Sequence, residues 1–349
     1  MISDVSIASG ASKSLQIDCD ELKRLWQQPL RLFRLSNALR KKRCGDVVSF
    51  VINRNINFTN NCIGTCRFCS FKHQQSFTLT SEQILERAGE AEKLGATEIC
   101  LQGGLAPGMM LEDYCQILET IHCDYPRIHL HAFSPMEVMH MSRNSGVSVR
   151  DALLELKKSG LGSLPGTAAE ILVDSVREMI CPEKLKVGEW REVITTAHNL
   201  GIHTTSTMLF GHVENLEDRL RHLQVLREIQ LETGGFTELV LLPFISENNV
   251  LGQTARSADL LDRLKMHALS RVALYPNITN IQASWTKLGR ETAAAAIEWG
   301  ANDLGGTLMD EAIARNAREA PSISASDLIE LIEGRGRKAV QRTTLYERA

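Results

Sequence analysis

From residue 48 onward, short runs rich in β-branched and other apolar residues alternate with longer stretches whose apolar residues recur every three or four positions. Strands that are separated each time by a helix must run parallel, so this alternation restricts the chain to parallel-sheet architectures. Eight runs fit the pattern: residues 48–57, 97–101, 127–131, 161–164, 203–210, 237–242, 278–281 and 301–304. Eight strand–helix units make a (β/α)8 barrel of the TIM type, and residues 48–320 have the size of that fold, roughly 250 residues. Residues 1–47 then form an N-terminal helical extension, and residues 321–349 a C-terminal tail packing on the barrel. A doubly wound sheet is the alternative.

The helical stretches carry their own boundary signals. Thr80 and Gln83 stand at capping-box spacing before a helix over 81–94, and Gly95 suits a left-handed C-terminal cap. Over 216–232, Leu216, Leu220, Leu223, Leu226 and Ile229 form one apolar stripe, a core face against the sheet, with Gly234 and Gly235 as the stop. In a barrel of this kind the functional side chains gather just after the strands, at their C-terminal ends.

The residue after the first run is therefore decisive, and there the sequence reads Asn60-Asn61-Cys62-Ile63-Gly64-Thr65-Cys66-Arg67-Phe68-Cys69. Three thiolates on one tight loop suit a cubane iron–sulfur cluster, each holding one iron and leaving the fourth iron open. Structural zinc would want a fourth ligand, for which His73 is the one nearby candidate, and an electron-transfer cluster with a remote fourth ligand is a further alternative. The chain has nine cysteines, an odd number with three crowded into eight residues, which argues against a disulfide framework and for a reducing compartment. Cys19, Cys44, Cys100, Cys115, Cys123 and Cys181 are scattered and read as small core or surface residues.

Charge narrows the partners. A net charge of -3 provides no basic face for nucleic acid, and no stretch reaches the ~18 apolar residues of a membrane span. The N-terminus shows no basic segment followed by an apolar core, so a cytoplasmic protein acting on small molecules is expected. Arg335, Arg337, Lys338 and Arg342 in the tail read as a solvated face.

The other strand ends offer further candidates. Gln102-Gly103-Gly104 follows the second run, where glycines let backbone approach a ligand or simply turn the chain. After the fourth comes Pro165-Gly166-Thr167-Ala168-Ala169-Glu170, in which Glu170 is either a ligand to hydroxyl or ammonium groups or a helix N-terminal acid. His212 and Glu214 follow the fifth run, and the eighth presents Asn302-Asp303 before Gly305-Gly306-Thr307, each with a structural reading beside the functional one. Leu242-Pro243-Phe244 and Gln282-Ala283-Ser284-Trp285 would line a cavity or cap the barrel.

The cysteine spacing, with Phe68 before the third cysteine, resembles the radical S-adenosylmethionine superfamily. The resemblance implies that Cys62, Cys66 and Cys69 ligate a 4Fe-4S cluster whose fourth iron takes S-adenosylmethionine. It also implies that Phe68, Gln102, Gly103, Gly104, Thr167 and Glu170 surround that cofactor. With the Ile180-Cys181-Pro182-Glu183-Lys184, Gly211-His212-Val213-Glu214, Thr233-Gly234-Gly235-Phe236-Thr237-Glu238 and Asn302-Asp303-Leu304-Gly305-Gly306-Thr307 segments, the chain is similar to the 5-amino-6-(D-ribitylamino)uracil–L-tyrosine 4-hydroxyphenyl transferase family over roughly residues 20–348. Futalosine-pathway radical enzymes of menaquinone synthesis share the cysteine loop but tend to have glycines where Thr167 and Ala168 stand, so they are the second reading. The implied reaction fragments L-tyrosine and joins its 4-hydroxybenzyl group to C5 of 5-amino-6-(D-ribitylamino)uracil, releasing 2-iminoacetate, in deazaflavin biosynthesis. It needs a reducing electron donor and a partner radical deazariboflavin synthase subunit. His212, Glu214 and Asp303, with Glu170, are the candidates for the base that takes the tyrosine ammonium proton.

Overall fold

The computed structural model describes residues 18–71, 75–307 and 323–349. His73 and residues 308–322 at the barrel–tail boundary lie outside them.

All sheet pairings are parallel, as the alternation requires. The first run divides at Ile52 into β1 (Val47–Val51) and β2 (Asn53–Asn57). There follow β3 (Glu98–Gln102), β4 (His129–Ala132), β5 (Ser163–Leu164), β6 (His203–Phe210), β7 (Phe236–Pro243), β8 (Asn280–Ala283) and β9 (Asp303–Gly306). The tail adds β10 (Lys338–Gln341), and the order across the sheet is β10-β1-β9-β8-β7-β6-β5-β4-β3-β2. Because β1 bonds to β9 while β2 bonds to β3, the first run joins the two ends of the series and the sheet curls back on itself. The expected eight runs are all present, with the first one split.

Helices α1 (Cys19–Trp26) and α2 (Pro29–Cys44) precede the sheet, and α2 packs against the helix Leu260–Leu274. The Thr80–Gln83 capping box forms at the start of α3 (Ser81–Lys93), and Gly95 takes φ 76°, the left-handed cap expected of it. In the helix Leu216–Thr233, Leu220, Leu223, Leu226 and Ile229 are buried against the sheet and Leu216 partly so. This apolar outer layer fixes the strands from outside, so the barrel interior is left to other chemistry.

The tail exposes Arg335 and Lys338 as expected, but not Arg337 and Arg342. Its helix Ala325–Glu333 leads into β10, which pairs residue for residue with β1 from Val47↔Lys338 to Phe50↔Gln341. Arg342 is 4% exposed, with Nε 2.6 Å from Asp303, and Arg337 bonds Glu298 and Asp46. Charge spacing along the chain cannot reveal this, because the partner carboxylates lie on other parts of the chain far away in sequence.

Candidate active site

The loop after β2 is held from several sides. Asn60 is buried, donating to the Gln75 carbonyl and accepting from the Phe77 N–H. The Ile63 N–H donates to the Leu105 carbonyl, the Arg67 N–H to that of Ile180, and the Arg67 carbonyl accepts from the Leu251 N–H. Cys62, Cys66 and Cys69 are unpaired as disulfides, half-buried, and line one cavity. The Gly64 N–H donates to the Cys62 sulfur at 3.3 Å, and a Cβ at Gly64 would lie 3.3 and 3.9 Å from the Cys62 and Cys66 sulfurs. The two sulfurs thus flank a position with no side chain, a cradle that suits an inorganic cluster. Among the described residues no three His, Cys, Asp or Glu side chains converge on a single ion position. In a cubane each thiolate reaches a different iron, so three thiols on one loop need not meet at a single point to hold it.

Against this loop lies the end of β3. The Gly104 N–H donates to the Thr59 carbonyl, and a Cβ there would fall 2.2 Å from the Asn61 carbonyl oxygen. Only glycine permits so close an approach. The Gly103 N–H donates to Glu137, which also accepts from the Ser134 N–H and hydroxyl. Burial pushes the Glu137 pKa up to about 7, the hydrogen bonds opposing it. Gln102 donates to the Thr167 hydroxyl at 3.0 Å, bringing together two residues that the sequence placed on separate strand ends.

The loop 165–170 is tightly constrained. Ala168 and Glu170 have φ of 61° and 45°, unusual for side-chain-bearing residues. Buried Arg177 holds them there, donating to the carbonyls of Ala168 (3.0 Å), Ala169 (2.5 Å) and Leu185 (2.7 Å). Glu170 forms a 2.5 Å ion pair with Lys184, whose ammonium also lies 5.3 Å from the Phe68 ring centre. Burial alone would lower the Lys184 pKa, but the Glu170 carboxylate and nearby sulfurs hold it above its ordinary value.

The three cysteines, Phe68, Gln102, Gly103, Gly104, Glu137, Thr167, Glu170 and Lys184 all face one cavity of about 420 Å³. Its cysteine end is rimmed by Phe68, Phe71, Gln102, Gly103, Gly104, Thr167 and Glu170. Apolar walls come from Met136, Leu209, Val240, Leu242, Pro243 and Phe244, and the far end is polar, with Asn53, Glu98, His131, Glu238, Gln282 and Arg342. Cys100 and Cys181, read from sequence as inert, also line it.

Residues 56–226 match the radical SAM superfamily, and residues 233–349 match the CofH/MqnC C-terminal region. A 5-amino-6-(D-ribitylamino)uracil–L-tyrosine 4-hydroxyphenyl transferase of Archaeoglobus fulgidus is 51% identical over 324 residues, covering 92% of this chain and 94% of that protein. The chain belongs to this transferase family. A Methanosarcina barkeri transferase of the same name is 51% identical over 326 residues, covering 91% of this chain and 87% of its own length. Among solved structures, methylornithine synthase shares the fold at TM-score 0.75 with 16% identity, over 93% of this chain and 95% of its own. The FeFe-hydrogenase maturase of Carboxydothermus hydrogenoformans shares it at 0.71 with 15% identity, over 94% and 81%. A radical SAM barrel is thus the fold on which the family's site is built.

Three residues expected as catalytic stand elsewhere. His212 and Glu214 line no part of the cavity, and both side chains are 0% exposed. Glu214 accepts from the Gly211 and His212 N–H groups and from Arg219 Nε, while His212 Nε2 donates to the Leu209 carbonyl and Nδ1 accepts from the Val213 N–H. Burial pushes the His212 pKa down, so the ring is neutral despite its carboxylate neighbour. Asp303 is fully buried outside the cavity lining and holds Arg342, Ser49 and the Gly305 N–H. Its neighbour Asn302 accepts from Arg271 and the Ile281 N–H, a structural knot. His212 and Glu214 follow the end of β6, where neighbouring backbone groups and Arg219 take them up, whereas Asp303 opens β9 and is taken up by Ser49, Arg342 and the Gly305 N–H.

Pro243, Phe244, Gln282 and Ser284 do line the cavity, whereas Trp285 is buried and donates to the Gly306 carbonyl. Sequence reasoning missed Glu98, His131, Glu137 and Arg342. Alternation along the strands carried a faint signal for Glu98, since Glu98, Cys100 and Gln102 share one face of β3.

Proposed function

We propose that this protein is a radical S-adenosylmethionine transferase that moves the 4-hydroxybenzyl group of L-tyrosine to C5 of 5-amino-6-(D-ribitylamino)uracil. The observation that carries this reading is one continuous cavity that begins at three free thiols, passes between apolar walls and ends in a polar floor. Such a sequence of surfaces suits a cofactor, an aromatic amino acid and a polar acceptor in that order. The names of the relatives supply the two substrates.

Cys62, Cys66 and Cys69 would hold a 4Fe-4S cluster, which with bound S-adenosylmethionine supplies a 5'-deoxyadenosyl radical. Gly103 and Gly104 leave room for the cofactor's amino acid moiety beside that loop, and Gln102, Thr167, Glu170 and Phe68 bound it laterally. Tyrosine must lose a hydrogen atom from its amino group near this end; scission of its Cα–Cβ bond then releases 2-iminoacetate, and the 4-hydroxybenzyl radical adds at C5 of the uracil to an adduct radical that would reach a closed shell by losing one proton and returning one electron to the cluster. The ammonium must first shed a proton. With His212, Glu214 and Asp303 turned away, we assign that proton to Glu137, whose pKa of about 7 suits a base at neutral pH. Leu209, Val240, Leu242 and Phe244 would keep water from the benzyl radical.

The electron must come from a reducing donor, and the adduct from this step requires a second radical enzyme to close the deazaflavin ring. We place the protein in the cytoplasm, where such thiols stay reduced; among the described residues no helix is long and apolar enough to cross a membrane. The test is anaerobic incubation of reconstituted protein with dithionite, S-adenosylmethionine, tyrosine and the ribitylaminouracil. Mass spectrometry should find 5'-deoxyadenosine and the 4-hydroxybenzyl adduct. Neither product from cluster-loaded protein would refute the reading, and deoxyadenosine without adduct would move the substrate to the futalosine class.

A further inference from the structure

The floor of the cavity is built from charged and amide side chains in a place where barrels ordinarily stack branched aliphatic residues. Glu98 opens β3 and Gln102 closes it, so the floor lies four residues below the cysteine end, about 13 Å at 3.3 Å per residue. Asn53 pairs in register with Glu98 and donates to it at 2.8 Å. His131 has its Nδ1 engaged by Ser163 at 2.7 Å, which leaves Nε2 for a ligand. Glu238 accepts from the Tyr346 hydroxyl at 2.5 Å and lies 3.6 Å from Arg342. Arg342 is in turn fixed by Asp303 through Nε at 2.6 Å and Nη2 at 3.2 Å. The C-terminal segment thus closes the barrel from below and supplies one wall of the site.

We propose that this floor binds the ribityl chain of the acceptor, with the pyrimidine ring directed up toward the cysteine loop. The proposal rests on the functional reading above. Each hydroxyl of a polyol both donates and accepts, matching a surface that mixes carboxylates with guanidinium, imidazole and amide groups. Tyrosine fits this floor poorly. Its amino group belongs near the cofactor, and its single phenol hydroxyl engages at most a small part of so many polar groups. Asp303 is a positioning residue here, acting through Arg342.

The test is calorimetric binding of 5-amino-6-(D-ribitylamino)uracil and of 5,6-diaminouracil, which lacks the ribityl chain, to anaerobic holoprotein. Wild type, Gln282→Leu and Arg342→Gln are compared at matched iron content. Wild type should bind the ribityl compound at least ~10²-fold more tightly, since a site built for hydroxyls rejects an analogue without them. Gln282→Leu, which removes a floor amide without stranding a buried carboxylate, should cut that preference at least ~10-fold and leave the tyrosine KM within about twofold. Arg342→Gln should abolish the preference if it folds. Equal binding of both compounds by wild type overturns the proposal while leaving the functional reading intact. So does a rise in the tyrosine KM in Gln282→Leu with ribityl preference retained. Binding of neither compound by wild type overturns both.

Discussion

Replacing Gly104 with alanine tests how closely the end of β3 supports the cysteine loop. The added Cβ would lie 2.2 Å from the Asn61 carbonyl oxygen, 2.7 Å from its carbon and 2.9 Å from the Cys62 Cβ. A carbon–oxygen contact needs about 3.3 Å, so one side must yield by roughly 1 Å. Gly104 has little freedom to yield, because its N–H is bonded to the Thr59 carbonyl at 2.8 Å and its neighbour Gly103 to Glu137 at 2.9 Å. The loop carrying Cys62 moves instead. Gly104 is not in the left-handed region, so the effect is steric and not a matter of backbone conformation. Overpacking of this size destabilises by about 1–3 kcal/mol, and misplacement of reacting groups by ~1 Å lowers turnover about 10²-fold. Gly108→Ala is the control, since nothing lies within 4 Å of its Cβ position. After anaerobic reconstitution, iron and sulfide content, visible absorbance and tyrosine-dependent deoxyadenosine formation are measured for both variants. Gly108→Ala should match wild type and Gly104→Ala should lose at least half its iron. Equal iron and equal turnover in the two would refute the claim that this glycine seats the loop.

Three further outcomes follow from the same geometry. The folded-state pKa of Glu137 stands above its unfolded value, so the stability associated with its protonated form is present below pH ~4.5 and lost as pH rises toward about 7. Glu137→Gln should therefore gain on wild type by up to about 3 kcal/mol in urea unfolding of the apo-protein between pH 4.5 and 7.5, and parallel pH curves would contradict that burial. It should also flatten the acid limb of kcat for tyrosine; an unchanged pH profile would remove Glu137 as the base. Arg177→Met removes three bonds to backbone carbonyls and should cost about 3–5 kcal/mol by denaturant titration, with S-adenosylmethionine affinity falling as the 165–170 loop relaxes; a loss under 1 kcal/mol would show the loop holds itself. Glu214→Gln should lower the melting temperature yet leave tyrosine kcat/KM within about threefold, since the carboxylate serves backbone N–H groups and Arg219; a ~10²-fold drop in a folded variant would restore it to the reaction.

Much of this protein was legible before any tertiary structure. The eight runs, the Thr80–Gln83 cap, the stripe from Leu220 to Ile229 and the spacing of Cys62, Cys66 and Cys69 are all local, determined by chemistry within a turn or a few residues. The meeting of Gln102 with Thr167 was not legible, since they stand at the ends of different strands 65 residues apart and only the fold brings them to 3.0 Å. What only the tertiary structure decided is which polar side chains face the cavity. His212 and Glu214 sit at a strand end as a catalytic pair would, yet backbone groups within three residues and Arg219 take up their hydrogen-bonding capacity. Arg342 sits in a basic tail that reads as surface, yet pairing of β10 with β1 carries it inside to Asp303, 39 residues earlier in the chain. Inward or outward facing depends on register between strands distant in sequence, and a shift of one residue reverses it. The local pattern therefore specifies the barrel and its cysteine loop, while the polar floor exists only once the strands are aligned.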